Sequence, residues 1–284
     1  MMKTFHQFTY FFLRQLKKYL TIISPMKRYR LSNYFAGILY HHTNTRKEQA
    51  RENISKAFPK WEKEKIEKTL KNNYQFFSYN FFQFMAFPKS WEGLKFDVSG
   101  QKLFDSCLKQ NKGLILISGH FGAWEILGKW VGEYVNLFTG IAQNQKNKGA
   151  NKFFIEQREL PGTKHIFRKE PISKMYDVLG KKGVLGLISD QDAKKKGVFV
   201  DFFGIPASTS KGAALFHINT SAPILLGVCI RKKMQHYLIK FIPVDTGSKT
   251  IEDITQSYTT ILEKCVRENP EQYFWFHRRW KTKK

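Results

Sequence analysis

Apolar and polar positions follow two different patterns along the chain, and the change comes near residue 95. Before that point apolar residues recur every three or four positions, which predicts helices. Beyond it, short apolar runs alternate with amphipathic stretches, which predicts strands alternating with helices. The sequence therefore predicts an α/β layered sandwich with a central, mostly parallel sheet flanked by helices, preceded by an N-terminal helical region.

The chain is predicted to have two parts. Residues 1–45 form amphipathic helices interrupted at Pro25. Residues 46–284 form the main domain, which is helical at 46–90 and α/β from about 95. Aromatic and aliphatic residues of the first helix are mixed with Arg14, Lys17 and Lys18. Such a helix can lie in a membrane interface or pack on the domain core, and the pattern leaves both open.

The elements predicted beyond residue 90 follow from the same periodicities. Strands are predicted at 95–99, 114–117, 135–142, 164–167, 184–189, 198–203, 223–230 and 237–243. Helices are predicted at 101–110, 123–132, 150–160, 172–181, 209–219 and 252–268. Basic turns are predicted at 194–197 and 231–233, and a loop at 204–207.

The net charge narrows the range of partners. The chain has 48 basic and 23 acidic residues, which gives a formal net charge of +25. A field of this size favours a nucleic acid, an anionic membrane or an acidic protein. The aromatic content of 15%, with 26 Phe, favours the membrane surface. A nucleic-acid-binding module is supported by charge alone, because no helix-turn-helix, zinc-finger or RNP-like pattern is found.

The cysteine spacing and the hydropathy exclude further classes. Cys107, Cys229 and Cys265 are far apart and show no metal-ligand spacing, so we expect buried free thiols in a reducing compartment and no metal site. We also expect no cleavable signal peptide. No run of about 18 apolar residues is present, which argues against a transmembrane helix.

A candidate catalytic pair follows the apolar strand at 114–117. Gly119 permits a sharp turn, His120 comes next, and Glu125 lies in the first turn of the following helix. A carboxylate on one imidazole nitrogen would leave the other free to accept a proton from a hydroxyl. The stretch holds no serine or cysteine nucleophile, and a purely structural His–Glu hydrogen bond is the alternative.

A second strand end carries Asp190, Gln191 and Asp192. Working residues of α/β sheets collect where strands end and helices begin. The alternative for this segment is a solvated acidic turn, since loops are polar by default.

Several blocks, in order, resemble the bacterial lipid A late acyltransferases, the lauroyl/myristoyl transferase family. The run from Gly113 to Gly128 resembles that family's His-x4-Glu block. Supporting blocks are Asn53-Ile54 with Ala57-Phe58-Pro59, Arg158 with Gly162, Asp190-Gln191, the segment from Phe202 to Gly212, and the segment from Pro270 to Lys281. The resemblance covers about residues 50–281.

The resemblance implies an acyltransferase of the class that transfers groups other than aminoacyl groups. It implies transfer of a fatty acyl chain from acyl carrier protein to a hydroxyl of a lipid, typically the 3-hydroxyacyl chain of a lipid A precursor, in lipopolysaccharide biosynthesis. Other acceptors stay open, namely a glycerophospholipid, a mannolipid or an aminolipid. A structural membrane-surface protein without catalysis is a third class of function.

We assign roles on this basis. His120 is the general base, Glu125 fixes its tautomer and stabilises the imidazolium, and direct attack forms no acyl-enzyme. Arg158 is the oxyanion donor by family position, with backbone N–H groups near Gly122 as the competitor, or it is a surface or phosphate-contacting arginine. Asp190 orients Arg158 or a substrate group. The remaining predicted substrate-binding residues are Gly122, Trp124, Gln191, Lys211, Arg278 and Arg279.

The expected partners and location complete the prediction. Acyl carrier protein supplies the acyl group as co-substrate, acyl-CoA is a possible donor, and no cofactor is expected. The protein is expected to act as a monomer at the cytoplasmic face of the bacterial inner membrane, peripheral or monotopic, without nucleic acid. The family usually begins with a membrane anchor, whereas the charges at Arg14, Lys17 and Lys18 favour interfacial attachment.

Overall fold

The computed structural model describes residues 2–42, 44–135, 137–159, 162–247 and 250–284. The helices are α1 (Met2–Ile22), α2 (Pro25–His42), α3 (Asn44–Ala57), α4 (Lys63–Met85), α5 (Gln101–Lys109), α6 (Trp124–Val135), α7 (Lys148–Arg158), α8 (Ser173–Gly180), α9 (Gly212–Thr220) and α10 (Ile251–Glu268). The strands are β1 (Lys95–Ser99), β2 (Leu114–Ser118), β3 (Phe138–Ala142), β4 (Thr163–Phe167), β5 (Val184–Ile188), β6 (Val198–Phe202), β7 (Ile205–Thr209), β8 (Ile224–Lys233) and β9 (His236–Pro243).

The central sheet has seven strands in the order β1-β9-β8-β2-β5-β3-β4. Every adjacent pair is parallel except β8 and β9, which are antiparallel. The register between β2 and β5 aligns Leu114 with Val184 and Ser118 with Ile188. The carboxyl ends of β2 and β5 therefore lie side by side in the middle of the sheet. The predicted fold class is confirmed.

Alternate residues of each central strand enter two different cores. Ile115 and Ile117 of β2 pack with α9 and α10 on one face of the sheet. Leu114 and Leu116 pack with α5 and α6 on the other face. Because both faces are covered, the strand reads in the sequence as a continuous apolar run.

Two strand and helix boundaries were predicted wrongly between residues 200 and 220. The predicted loop at 204–207 is part of β7, which pairs antiparallel with β6. Phe203 and Gly204, with φ of +61° and +74°, form the connection between these strands. Thr209 ends β7, so α9 begins later than predicted, at Gly212. The short strand was missed because Pro206 and small residues weaken the strand pattern.

Other strand and helix boundaries also differ from the predicted ones. The predicted strand at 135–142 begins at Phe138, since Val135 still belongs to α6. The predicted turn at 231–233 continues β8, because Arg231 and Lys233 remain paired with β9. Helix α7 starts before residue 150, where the Asn147 side chain accepts the N–H of Ala150 as an N-cap. The predicted end of that helix at residue 160 lies outside the described residues.

The first helix both packs on the domain and exposes an apolar face. Tyr10 donates to Glu156 of α7 at 2.9 Å, and Gly149 of α7 lies so close that a Cβ would sit 1.8 Å from the carbonyl oxygen of His6. The opposite face leaves large apolar side chains exposed, among them Phe5, Phe8, Phe11, Phe12 and Ile22. Among the described residues, no helix has the length and hydropathy needed to cross a membrane.

Candidate active site

The turn between β2 and α6 carries His120. Residues 114–118 are buried, and the chain turns directly after them. Gly122 has φ of +64°, and a Cβ there would lie 2.2 Å from the carbonyl oxygen of Cys229. Glycine is needed because β8 runs directly against the turn. The predicted strand, turn and helix are therefore present, and they hold His120 at the carboxyl end of the sheet.

Asp190 lies beside His120 because β5 is the parallel neighbour of β2. Its Oδ1 atom is 2.7 Å from Nδ1 of the imidazole, and its Oδ2 atom accepts the backbone N–H of His120 at 2.9 Å. The Asp190 side chain is 3% exposed and that of His120 is 26% exposed. A carboxylate at Nδ1 selects the tautomer protonated there, so Nε2 is the basic atom of a partly exposed ring.

The prediction that Glu125 fixes the tautomer of His120 is wrong. The Glu125 carboxylate is held by Arg158, whose Nε lies 3.1 and 3.2 Å from the two carboxylate oxygens and whose Nη2 lies 2.6 Å from Oε1. The planar guanidinium at the end of α7 matches a carboxylate with two parallel hydrogen bonds. The prediction that Asp190 orients Arg158 is wrong for the same reason, since Glu125 does so.

The charges around His120 favour its protonated form. Burial alone would lower the pKa of His120, but the charge and hydrogen bond of Asp190, with a contribution from Glu125, outweigh burial and raise it. Burial would raise the pKa of Asp190, but His120 and the more distant Arg279 lower it. Asp190 therefore stays ionised and His120 is a stronger base than a free imidazole.

The second ion pair is equally well defined. Burial would raise the pKa of Glu125, but the Arg158 charge and hydrogen bonds lower it. Nearby His165 of β4 has its pKa lowered to about 4 by burial and by Arg158. His165 is therefore neutral at physiological pH, and Glu125 and Arg158 form the charged pair of this part of the site.

Aromatic rings and an amide surround the His120 imidazole. The Trp124 and Phe274 ring centroids lie 5.3 and 6.1 Å from that of His120. The Gln191 side-chain nitrogen lies 3.5 Å from Nε2 of His120. The structure thus brings the predicted residue Trp124 next to the imidazole ring and the predicted residue Gln191 next to its basic atom.

The backbone N–H groups near Gly122 are already used. The N–H of Gly122 donates to the Gln272 carbonyl oxygen at 2.8 Å, and that of Ala123 donates to the Cys229 carbonyl oxygen at 2.7 Å. They cannot also stabilise an oxyanion. The prediction that this backbone is a competing oxyanion donor is therefore wrong. That Gly122 binds substrate stays a prediction, and its lack of a Cβ lets β8 approach the turn.

The predicted basic contacts divide into buried and exposed residues. Arg279 is 2% exposed and donates to the Ser208 carbonyl oxygen at 2.7 Å and to the Thr209 hydroxyl. It cannot reach a substrate from there, so the prediction that it binds substrate is wrong. Lys211, at the residue before α9, and Arg278 are both exposed. Among the contacts of the described residues, none joins either of them to His120 or Asp190.

The C-terminal segment supplies residues that the sequence pattern did not reveal. The N–H of Phe274 donates to the His120 carbonyl oxygen at 2.8 Å, so this segment packs against the turn that carries His120. The N–H of Asp192 donates to Nε2 of His277 at 3.1 Å, which fixes the His277 tautomer. The run of aromatic and basic residues at 273–280 did indicate a functional role. It has no strand or helix period, so the sequence did not show where the segment lies.

The described part of the chain places neither an enzyme nucleophile nor a metal-binding cluster beside His120. Among the described residues, no serine, threonine or cysteine side chain hydrogen bonds to His120, and Cys107, Cys229 and Cys265 are buried thiols. The same described ranges hold no cluster of three or more metal-binding side chains. What the site offers is an oriented imidazole base, an amide and an arginine–carboxylate pair.

Comparison with known proteins places the chain among lipid acyltransferases. A family described as bacterial lipid A biosynthesis acyltransferase matches residues 3–282. The lipid A biosynthesis palmitoleoyltransferase of Escherichia coli K12 is 27% identical over 251 residues, which cover 82% of this chain and 78% of the relative. The lipid A biosynthesis lauroyltransferase of the same strain is 23% identical over 193 residues, 66% of this chain and 62% of the relative.

A mycobacterial relative widens the range of acceptors within this group. The phosphatidylinositol mannoside acyltransferase of Mycobacterium tuberculosis H37Rv is 24% identical over 187 residues, or 64% of this chain. The chain spans 59% of the length of that relative. Lipid A and a phosphatidylinositol mannoside thus both occur among the names of similar proteins.

Proposed function

The chain belongs to the bacterial lipid A biosynthesis acyltransferase family, and from that premise we propose that it moves a fatty acyl chain from acyl carrier protein to a hydroxyl of a lipid. The observation that carries the proposal is His120 held by Asp190, with Nε2 next to Gln191. This is a base without an enzyme nucleophile among the described residues. A hydroxyl of the acceptor supplies the missing nucleophile.

The proposed step is one direct displacement. The acceptor hydroxyl loses its proton to Nε2 of His120 and attacks the thioester carbonyl carbon, forming a tetrahedral oxyanion. The C–S bond then breaks, the ester is complete, and the imidazolium returns the proton to the thiolate of the carrier. Asp190 keeps the ring in place and stabilises the imidazolium while it exists.

Two groups are proposed to stabilise the oxyanion. Gln191 lies next to the atom that takes the proton, so its amide N–H groups can reach the reacting oxygen. Arg158 is fixed by Glu125 through Nε and Nη2. Its Nη1 group has no hydrogen bond among those of the described residues, and it can meet an oxyanion or a lipid phosphate. Glu125 thus supports Arg158 rather than His120.

The acceptor is proposed to be the hydroxylated acyl chain of a lipid A precursor, because the family and the two relatives of Escherichia coli carry that name. A mannolipid is the second candidate, since one relative is named for a phosphatidylinositol mannoside. The test is mass spectrometry of the lipids of a deletion strain. We expect one lipid A species to lack one acyl chain. Loss from a mannolipid or a phospholipid instead would reject the lipid A acceptor.

The pH dependence of transfer should show the raised pKa of His120. The base works only when neutral, so kcat should fall as pH drops through a pKa above the ordinary value of 6.5. Above that pKa His120 is deprotonated and the rate should reach a plateau. The measurement is a kcat profile from pH 5.5 to 9 with saturating donor and acceptor. An acid limb well below pH 6.5 would contradict the proposed environment of His120.

The exposed face of α1 is proposed to attach the protein to an anionic membrane. Phe5, Phe8 and Phe11 are each more than three-fifths exposed, at 63%, 66% and 61%. Arg14 and Lys18 on the same helix are also exposed, so aromatic rings can enter the acyl boundary while cations meet head groups. Helix α1 packs on α7, which ends at Arg158, and this contact would hold the active site near the lipid surface.

Replacing Phe8 and Phe11 together by glutamate should weaken membrane binding. Each buried ring contributes roughly 1.5–3 kcal/mol, so we expect at least about a tenfold loss of partitioning. The measurement is co-sedimentation with vesicles of phosphatidylglycerol and phosphatidylethanolamine. Ile218→Glu is the matched control, since Ile218 is a 49% exposed apolar residue on α9. Equal sedimentation of the double variant and the control would reject this face as the membrane contact.

The same co-sedimentation assay distinguishes membrane binding from nucleic-acid binding. The protein should bind the vesicles and show little binding to duplex DNA. A protein that ignores vesicles and binds DNA with steep salt dependence would favour the rival, which rests on the charge of +25 alone.

A further inference from the structure

A small cavity is lined in part by Asp190, and His120 is not among the residues that form its walls. Its walls come from the ends of β2 and β5, from β6, β8 and α10, and from the C-terminal segment. The cavity leaves about 10 Å³ for the centre of a water molecule. One buried water needs roughly 10–15 Å³ by that measure, together with two to four polar partners.

Two buried polar atoms of this cavity wall are unpartnered. Ser118 Oγ and Arg279 Nε have no hydrogen bond among the described residues, although Ser118 is 6% exposed and Arg279 is 2% exposed. Asp190 lines the same cavity. Each of its oxygens accepts one hydrogen bond from His120, and its carboxylate also accepts one from the Tyr273 hydroxyl, which leaves a lone pair for one further donor. Donors and acceptors for one water are therefore present on the walls.

The Arg279 guanidinium also needs a counter-charge. Its Nη1 and Nη2 donate to the Ser208 carbonyl oxygen and the Thr209 hydroxyl, which are neutral. Among the described residues no carboxylate lies within ion-pair distance of it. A buried cation without compensation is costly, and Asp190 is the buried carboxylate that shares its cavity.

We propose that this cavity binds one water molecule that joins Nε of Arg279, Oγ of Ser118 and the carboxylate of Asp190, so that Arg279 is a positioning residue for His120. The Nε–H donates to the water, and the water donates to Asp190 and exchanges a hydrogen bond with Ser118. Asp190 is then held by the water while it holds the imidazole. The kinetic consequence rests on the proposed function, whereas the consequence for the His120 ring does not.

The other groups that act on this pair must be held constant in a test. Titratable and charged groups facing His120 and Asp190 come from α6, α7 and the C-terminal segment. They are Glu125, Arg158, Tyr273, His277 and Arg279. Burial, followed by the Asp190 charge, raises the pKa of the Tyr273 hydroxyl, so Tyr273 stays a neutral donor throughout the working range.

The test compares Arg279→Met, Arg279→Lys and Ser118→Ala in the full chain. We expect Arg279→Met to lower kcat by roughly tenfold or more with KM nearly unchanged, because the ring is held less firmly. Loss of the positive charge should move the acid limb of the kcat profile upward by about one pH unit. Arg279→Lys keeps the charge and should keep the limb in place. Ser118→Ala should lower kcat by roughly fivefold without a shift of the limb.

Arg28→Met is the matched control, since Arg28 is also 2% exposed but lies between α1, α2 and α4. It should lower the melting temperature and leave the acid limb and kcat per folded molecule unchanged. A purely structural Arg279 would behave in the same way, and that result would overturn the inference.

A second readout does not need acyl transfer. Titration of ¹⁵N-labelled histidine by NMR reports the tautomer and the pKa of His120 directly. We expect a higher pKa and partial loss of the single tautomer in Arg279→Met, and partial loss of the tautomer in Ser118→Ala. Unchanged His120 signals in both would overturn the inference even if transfer activity were never found. If Arg279→Met does not fold, Ser118→Ala alone decides in the same way.

Discussion

Replacing His120 by alanine should lower kcat for acyl transfer by about 10²–10⁴-fold, the range typical of a lost general base. His120 is the oriented imidazole of the site, and Nε2, next to the Gln191 amide, is its basic atom. KM for donor and acceptor should change little, since the proton is transferred only in the reaction step. The measurement is steady-state transfer from a thioester donor with purified protein.

His120→Gln serves as the control for packing in that experiment. Glutamine can keep a hydrogen bond to Asp190 but cannot act as a base near neutral pH. We expect it to be as inactive as His120→Ala with a melting temperature closer to that of the unchanged protein. Near-normal transfer by either variant would reject the general-base role.

Replacing Asp190 by asparagine should lower kcat by roughly 10²–10⁴-fold, almost as much as the loss of His120. An asparagine amide can donate to Nδ1 and so stabilise the wrong tautomer, with the proton on Nε2 where the acceptor hydroxyl must bind. It also removes the negative charge that raises the pKa of His120. The acid limb of the residual activity should therefore move to lower pH.

Glu125→Gln is the informative comparison for that prediction. Its carboxylate contacts Arg158, so its loss should act mainly on substrate or oxyanion binding, and it should lower the pKa of His120 by less than Asp190→Asn does, because Asp190 makes the larger contribution to that pKa. The double variant of His120→Ala and Asp190→Asn should be little worse than His120→Ala, because the two residues act as one unit. Full additivity of the two losses, or a His120 tautomer that depends on Glu125 instead, would contradict the assigned roles.

The sequence indicated the two strand ends that carry His120 and Asp190, but it did not show that these two residues pair with each other. The apolar run before Gly119 and the run before Asp190 both predicted strand ends, and these are the ends that meet. The pairing of His120 with Asp190 depends on β2 and β5 being neighbours in the sheet order. Local spacing cannot reveal that order, so Glu125, which is nearer in sequence, was assigned the role that Asp190 has.

The remaining errors have a similar origin. The backbone near Gly122 was predicted as a competing oxyanion donor, whereas its N–H groups bond to Gln272 and Cys229, which are distant in the chain. Arg279 was predicted to bind substrate, whereas its guanidinium is buried, and that burial depends on the tertiary position of the C-terminal segment. Both the fold class and the catalytic turn could be predicted, since they rest on periodicities within single segments.

The central claim is direct transfer of the acyl group to a lipid hydroxyl by the His120–Asp190 pair. A rapid-quench single turnover tests it most directly, with acyl carrier protein bearing a labelled acyl chain, a hydroxylated lipid A precursor and excess enzyme. We predict that label passes from carrier to lipid as one new ester, that no label is found on the protein at any time, and that His120→Ala blocks the transfer. Label trapped covalently on the enzyme, or transfer that survives in His120→Ala, would contradict the claim.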